Sequence, residues 1–160
     1  MKYAENTTVP IERSRSEIET VLKKYGAEQF MYFSEERRAV LAFRLKGCNI
    51  QLSVMMPRLD EIPARIGRGY GRLLTAQKRE ERREQMARQR WRALVLYVKA
   101  KLEFIENELS TVEQEFMAQM MLPSGETVAD WLLPQIETAR KIGVMPRLLT
   151  MPTGGTDDES

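Results

Sequence analysis

The sequence predicts an α+β fold: a short N-terminal helix on a three-stranded antiparallel sheet, followed by a helical C-terminal half led by one long helix. Three observations carry this expectation. Apolar residues recur at helical spacing before residue 26, at a period of two between residues 30 and 54, and at helical spacing again from residue 91. The chain has 160 residues, enough for one domain with its own core. Its 42% hydrophobic and 30% charged residues match an ordinary globular protein.

Residues 1–12 read as a flexible arm, and their first eight have no apolar core of the kind a secretory leader needs. One α+β domain is expected over 13–150, with an αβββ part at 13–56, an Arg/Gly-rich loop at 57–75 and a helical part at 76–150. In Ser14-Arg15-Ser16-Glu17 a hydroxyl and a glutamate three residues later have the spacing of a capping box. Ile18, Val21, Leu22 and Tyr25 then form one helical stripe, and Gly26 suits a left-handed C-terminal cap. A short strand at 30–33 follows, and Ser34-Glu35-Glu36-Arg37 turns the chain. Leu41, Phe43 and Leu45 share one strand face, with Arg38, Val40, Ala42 and Arg44 on the other. After a tight turn at Lys46-Gly47, Cys48, Ile50, Leu52 and Val54 alternate with Asn49, Gln51 and Ser53. Such alternation predicts an antiparallel meander wet on one side. Cys48, the single cysteine, reads as a small buried hydrophobe.

Pro57 ends the sheet. Two prolines, three glycines and interleaved arginines over 57–75 predict a mobile loop. A long helix is expected over 76–108, with Trp91, Leu94, Val95, Val98, Leu102, Ile105 and Leu109 as its core stripe. Its first turns, 77–90, are almost wholly polar and are expected to face solvent or a partner. Ser110-Thr111-Val112-Glu113 reads as a capping box for a helix to about residue 120, with Met117, Met120 and Met121 as core. Residues 127–142 read as a last helix that Pro134 kinks or restarts, capped by Gly143. Residues 145–149 are expected to pack back extended, and 151–160 to form a disordered acidic tail.

Charge is distributed unevenly. Residues 58–101 net +8, residues 102–160 net −8, and the whole chain +2. This asymmetry points to a polyanion or an acidic partner more than to a reaction. Histidine is absent, which excludes Ser-His-Asp and Cys-His arrangements and His-containing zinc sites within one chain. No catalytic residue, metal site or cofactor is expected. Glu103 and Glu106, at i,i+3, are the only pair close to a magnesium-nuclease pattern, and they read as a solvated acidic face. No run approaches the roughly 18–20 apolar residues of a membrane span. Gly67, Gly69 and Gly71 lack the spacing of a phosphate-binding loop.

The candidate nucleic-acid-binding residues are Arg65, Arg68, Tyr70, Arg72, Lys78, Arg79, Arg82, Arg83, Arg88, Arg90 and Arg92. Guanidinium and ammonium groups release phosphate counterions without reading sequence, and Tyr70 could stack on a base. Two other readings stand beside this one. The arginines could pair with glutamates of their own helix, as Arg88 with Glu84, or the basic half of one subunit could dock on the acidic half of another, giving a homo-oligomer.

Arg88-Gln89-Arg90-Trp91-Arg92-Ala93-Leu94, the 99–103 segment Lys-Ala-Lys-Leu-Glu, Leu122-Pro123-Ser124-Gly125-Glu126-Thr127-Val128, Trp131-Leu132 and Met145-Pro146 together resemble a family of small uncharacterised proteins of tailed phages and prophages. The resemblance spans about residues 8–150 and carries over no catalytic residue. It implies a phage protein acting in the cytoplasm of a bacterial host. The expected function is a non-enzymatic nucleic-acid-binding accessory protein whose Arg-rich loop and helix contact phosphates. The alternative is a protein-binding inhibitor of a host defence system or host enzyme, acting through the basic arm or an acidic, nucleic-acid-mimicking surface.

Overall fold

Helix α1 (Ile11–Lys24) leads into three strands, β1 (Glu28–Ser34), β2 (Arg38–Leu45) and β3 (Cys48–Met55), in the computed structural model. That model describes residues 3–35, 37–67 and 71–144. The strands form one antiparallel sheet of order β1-β2-β3, and a second, two-stranded ribbon pairs β4 (Arg65–Ile66) with β5 (Arg72–Leu73). Helices α2 (Ala76–Glu106), α3 (Val112–Phe116) and α4 (Val128–Ile142) complete the chain. The expected α+β architecture is what the chain forms.

The sheet closes on a two-residue turn in which Lys46 and Gly47 both have positive φ (46° and 83°), matching the twist of the flanking strands. Its core face meets α1 and α2. Ile18 and Leu22, Leu41, Phe43 and Leu45, Ile50 and Leu52, Trp91, Val95, Val98 and Leu102, then Val112 and Phe116 form one apolar cluster. Tyr32 lies 5.9 Å from Trp91, and Phe116 meets Phe43 edge-on at 6.1 Å. The stripe expected on the long helix is its core face from Trp91, 1% exposed, to Ile105, but Leu109 lies beyond the helix end at Glu106 and is exposed, not core.

Polar ties clamp α1 to α2. Glu17 accepts from Arg92 and, at 2.5 Å, from Lys99. Tyr25 donates its hydroxyl to Glu106, which pushes the phenol up to about 12. Arg92 and Lys99 hold the Glu17 carboxyl below the usual carboxylate range. A depressed folded pKa stabilises the fold above the unfolded pKa and ceases to do so as pH falls through the folded pKa. Glu17→Gln is thus expected to cost about 1–3 kcal/mol near pH 7. The loss should shrink as both proteins are acidified, and urea melts across pH 2–7 check that convergence.

Several local expectations are corrected. Ser14 is not an N-cap, because α1 begins at Ile11 after Pro10, and the buried Ser14 hydroxyl donates back to the Pro10 carbonyl at 3.4 Å. Glu17 is then free to join α2. Ile11 and Glu12 belong to α1 rather than to a flexible arm, and Gln85 donates to the carbonyls of Glu5 and Thr7 at 3.0 and 2.9 Å, laying the arm along α2. Val40 and Ala42 are buried although they lie off the core face, since a central strand is flanked on both sides, here by Phe33 with Ser53 and by Met31 with Gln51. Cys48 is half-buried, not buried.

The second capping box is Thr111 with Gln114, one residue later than the pattern suggested. Its helix ends at Phe116, because a 3-10 turn at Met117–Gln119 redirects the chain to bridge Met120 to Ile50. Met117 is accordingly exposed, and Met120 packs against the core. Helix α4 runs unbroken through Pro134. The proline forfeits one backbone hydrogen bond in the second turn, while the Thr127–Asp130 box and Gly143 (φ 72°) hold the ends. Residues 145–149 and the tail at 151–160 lie outside the described residues.

Candidate nucleic-acid interface

The segment read as a loop contains secondary structure. After Pro57 the chain makes a 3-10 turn at Leu59–Glu61, and then β4 and β5 pair as a short ribbon, Arg65 opposite Leu73 and Ile66 opposite Arg72. The Leu74 amide donates to the Ala64 carbonyl at 2.8 Å, closing its base. Gly71 is required here for space, since a Cβ would stand 2.4 Å from the Ile66 carbonyl oxygen. Gly71→Ala is therefore expected to open the ribbon without unfolding the domain. Faster amide exchange at Leu73 and Leu74, with an unchanged melting midpoint for α2, would report it. Arg68, Gly69 and Tyr70 lie outside the described residues.

The ribbon delivers the chain to Thr75, whose hydroxyl accepts from the Lys78 amide and caps α2. The basic candidates now divide by what they touch. Arg79 donates to the carbonyls of Leu59 at 2.7 Å and Ile62 at 3.2 Å. Arg90 donates to the Met55 carbonyl at 2.6 Å and to Glu61 at 2.9 Å. These two guanidinium groups fasten the 55–62 segment to α2. Glu61 is held below the usual carboxylate range by the Arg58 amide and then by Arg90. Arg92 faces Glu17 inside the α1–α2 contact. Arg83 pairs with Glu80, and Arg88 with Gln85 and, at 3.8 Å, Glu84.

Arg65, Arg72, Lys78 and Arg82 are the exposed remainder. Arg65 donates to the Gly71 carbonyl at 3.3 Å. Arg72, Lys78 and Arg82 make no side-chain ion pair or hydrogen bond among the described residues. Lys78 and Arg82, at i,i+4, share one face of the first two turns of α2, directly after the ribbon. The surface thus has two parts: a ribbon carrying two arginines, and a helix start carrying a lysine and an arginine.

Other candidate chemistry is occupied structurally. Glu106 accepts from Tyr25 and Glu103 from Asn107, and among the described residues no group of three or more Cys, Asp or Glu is placed to hold a metal ion. A groove of about 350 Å³ beside β3 is lined by Arg38, Gln51, Tyr97 and Asp130, but Asp130 is the α4 capping acid and accepts from Thr127 at 2.8 Å. No helix among the described residues is long and apolar enough to cross a membrane.

Sequence reasoning assigned Glu17 to a cap and missed its role as the acceptor that ties two helix cations. Its i,i+7 pairing of Arg92 with Lys99 was visible on α2, but the partner on α1 was not. No family model, curated protein or solved structure matches this chain.

Proposed function

We propose that this is a non-enzymatic nucleic-acid-binding accessory protein, of phage origin and working in the cytoplasm of a bacterial host. Contact is made with phosphates through the β4–β5 ribbon and the first two turns of α2. The observation that supports this reading is the clustering of Arg65, Arg72, Lys78 and Arg82 on exposed, adjacent elements, where Arg72, Lys78 and Arg82 make no side-chain hydrogen bond or ion pair among the described residues. The neighbouring arginines that do have partners fix the position of this surface. A two-stranded ribbon or a helix is the kind of element a duplex major groove admits, and the cations here suit backbone contact rather than base readout.

Labelled single- and double-stranded DNA and RNA, titrated with the full chain across a salt series, test the reading. Four phosphate contacts on duplex DNA predict a log–log salt slope of about −3.6. Absence of binding at low salt to any of the four nucleic acids would overturn it. A second reading, inhibition of a host defence or enzyme by nucleic-acid mimicry, has one supporting observation. Glu103, Glu106, Glu108, Glu113, Glu126 and Glu137 are all exposed in the acidic half. Competition with DNA for a DNA-binding host protein would favour it.

A further inference from the structure

Helix α2 is apolar on two opposite faces. One is the core stripe through Trp91, Val95, Val98 and Leu102. On the reverse side Ala93, Tyr97, Ala100 and Phe104 follow one another at spacings of four, three and four, flanked by Leu96. That is the a/d seam of a coiled coil, not the broad stripe of a helix lying on a domain core. These side chains are left in solvent: Leu96 is 46%, Tyr97 38% and Phe104 51% exposed.

We propose that this seam is the interface of a two-fold dimer in which α2 pairs with α2 of a second copy, antiparallel. The order of sizes makes the seam complementary to itself. With the helices antiparallel and centred between residues 98 and 99, Ala93 faces Phe104 of the second copy, and Tyr97 faces its Ala100. Each large ring meets a methyl group, and the two-fold axis repeats both pairs. A parallel pair would set ring on ring and leave gaps between the alanines.

Charge selects the same orientation and the same occupant. The +8 segment that includes the first turns of α2 would lie beside its own copy in a parallel pair. In the antiparallel pair it points toward the end from which the acidic half, with Glu103, Glu106 and Glu108, begins. Opposite charge on the two ends of one helix is neutralised by a second copy reversed, without any other partner. The cation at Lys101 borders the seam, 4.8 Å from the Tyr97 ring, but its charge is already met by Glu115 at 3.3 Å and by the Phe116 ring at 5.3 Å.

Sedimentation equilibrium of the full chain from nanomolar to high micromolar concentration reads the association. The expected result is a reversible dimer that tightens as salt is lowered. Ala100→Glu is exposed in the single chain and should leave far-UV circular dichroism unchanged, while two glutamates near the axis raise the dimer Kd by roughly 100-fold. Orientation is read by cysteine pairs in a Cys48→Ser background. Across an antiparallel seam two copies of Ala100→Cys are offset by about 4.5 Å along the axis and two copies of Ala93→Cys by about 16 Å. A short thiol cross-linker should therefore join the first variant and not the second. A monomer at every concentration would overturn the proposal and leave the seam to a different protein. A dimer indifferent to Ala100→Glu, or equal cross-linking of both cysteine variants, would overturn it as well. Nucleic-acid titrations are not needed, so the outcome is independent of the proposed phosphate contacts.

Discussion

Trp91→Ala is expected to lower the free energy of unfolding by about 3–5 kcal/mol, the cost of removing a large ring from a sealed core. The indole is 1% exposed and lies where α2 crosses the sheet, against Tyr32 of β1. Its removal opens a cavity at the junction of α1, α2 and the sheet, and rigid strands on one side limit how far the neighbours can relax. The loss is a large share of the total stability of about 5–15 kcal/mol typical of a single domain. Urea unfolding should show a lower midpoint with an unchanged slope. Leu133→Ala, on exposed α4, is the matched control and should move the midpoint little. Equal losses for the two would mean that the crossing of α2 over the sheet is not the centre of the core.

Simultaneous reversal of Arg65, Arg72, Lys78 and Arg82 to glutamate is expected to abolish nucleic-acid binding while leaving the melting temperature within a few degrees. The stability half of this expectation follows from the exposure of all four and from the partners that Arg72, Lys78 and Arg82 lack among the described residues. The binding half follows from counterion release. With four contacts, a fourfold rise in salt should weaken wild-type binding about 10²-fold, and each single reversal should flatten the slope by about one contact.

Reversal of Arg79 or Arg90 should behave differently. Each guanidinium satisfies backbone carbonyls of the 55–62 segment, and a glutamate there leaves those carbonyls unpaired and, at position 90, faces Glu61. Those variants are expected to melt early, and any binding they lose is lost through folding. If the exposed four leave affinity unchanged and the salt slope is flat, the ribbon is not a phosphate-contacting surface.

Much of this architecture was legible before any coordinates. Alternation at period two marked β2 and β3, a short apolar run marked β1, and the spacing from Trp91 to Leu102 marked the buried face of α2. These signals are local: a strand or helix that must hide one side shows it at its own period. Gly143 as the end of α4 was legible for the same reason, since a C-terminal cap is made within a few residues. Pattern misplaced the Ser14 box because a partly exposed ion pair between α1 and α2 claimed Glu17, and nothing within four residues of Glu17 signals Arg92.

The spacing of apolar residues by itself determined the α+β class, the order of the main helices and strands, and the core faces of α1, β2, β3 and α2 up to Leu102, but not the β4–β5 ribbon. The charge count by itself determined that the basic surface lies between the sheet and the acidic half. Only the tertiary structure decided which cations remain available. Arg79 and Arg90 have the same composition and neighbourhood as Arg72 and Arg82, yet the first two turn inward to carbonyls donated by a segment some 20 to 35 residues earlier. The second face of α2 was likewise decided in three dimensions. Tyr97 and Phe104 carry large apolar rings like the core residue Trp91, and only the side on which the sheet lies separates a buried ring from an exposed one.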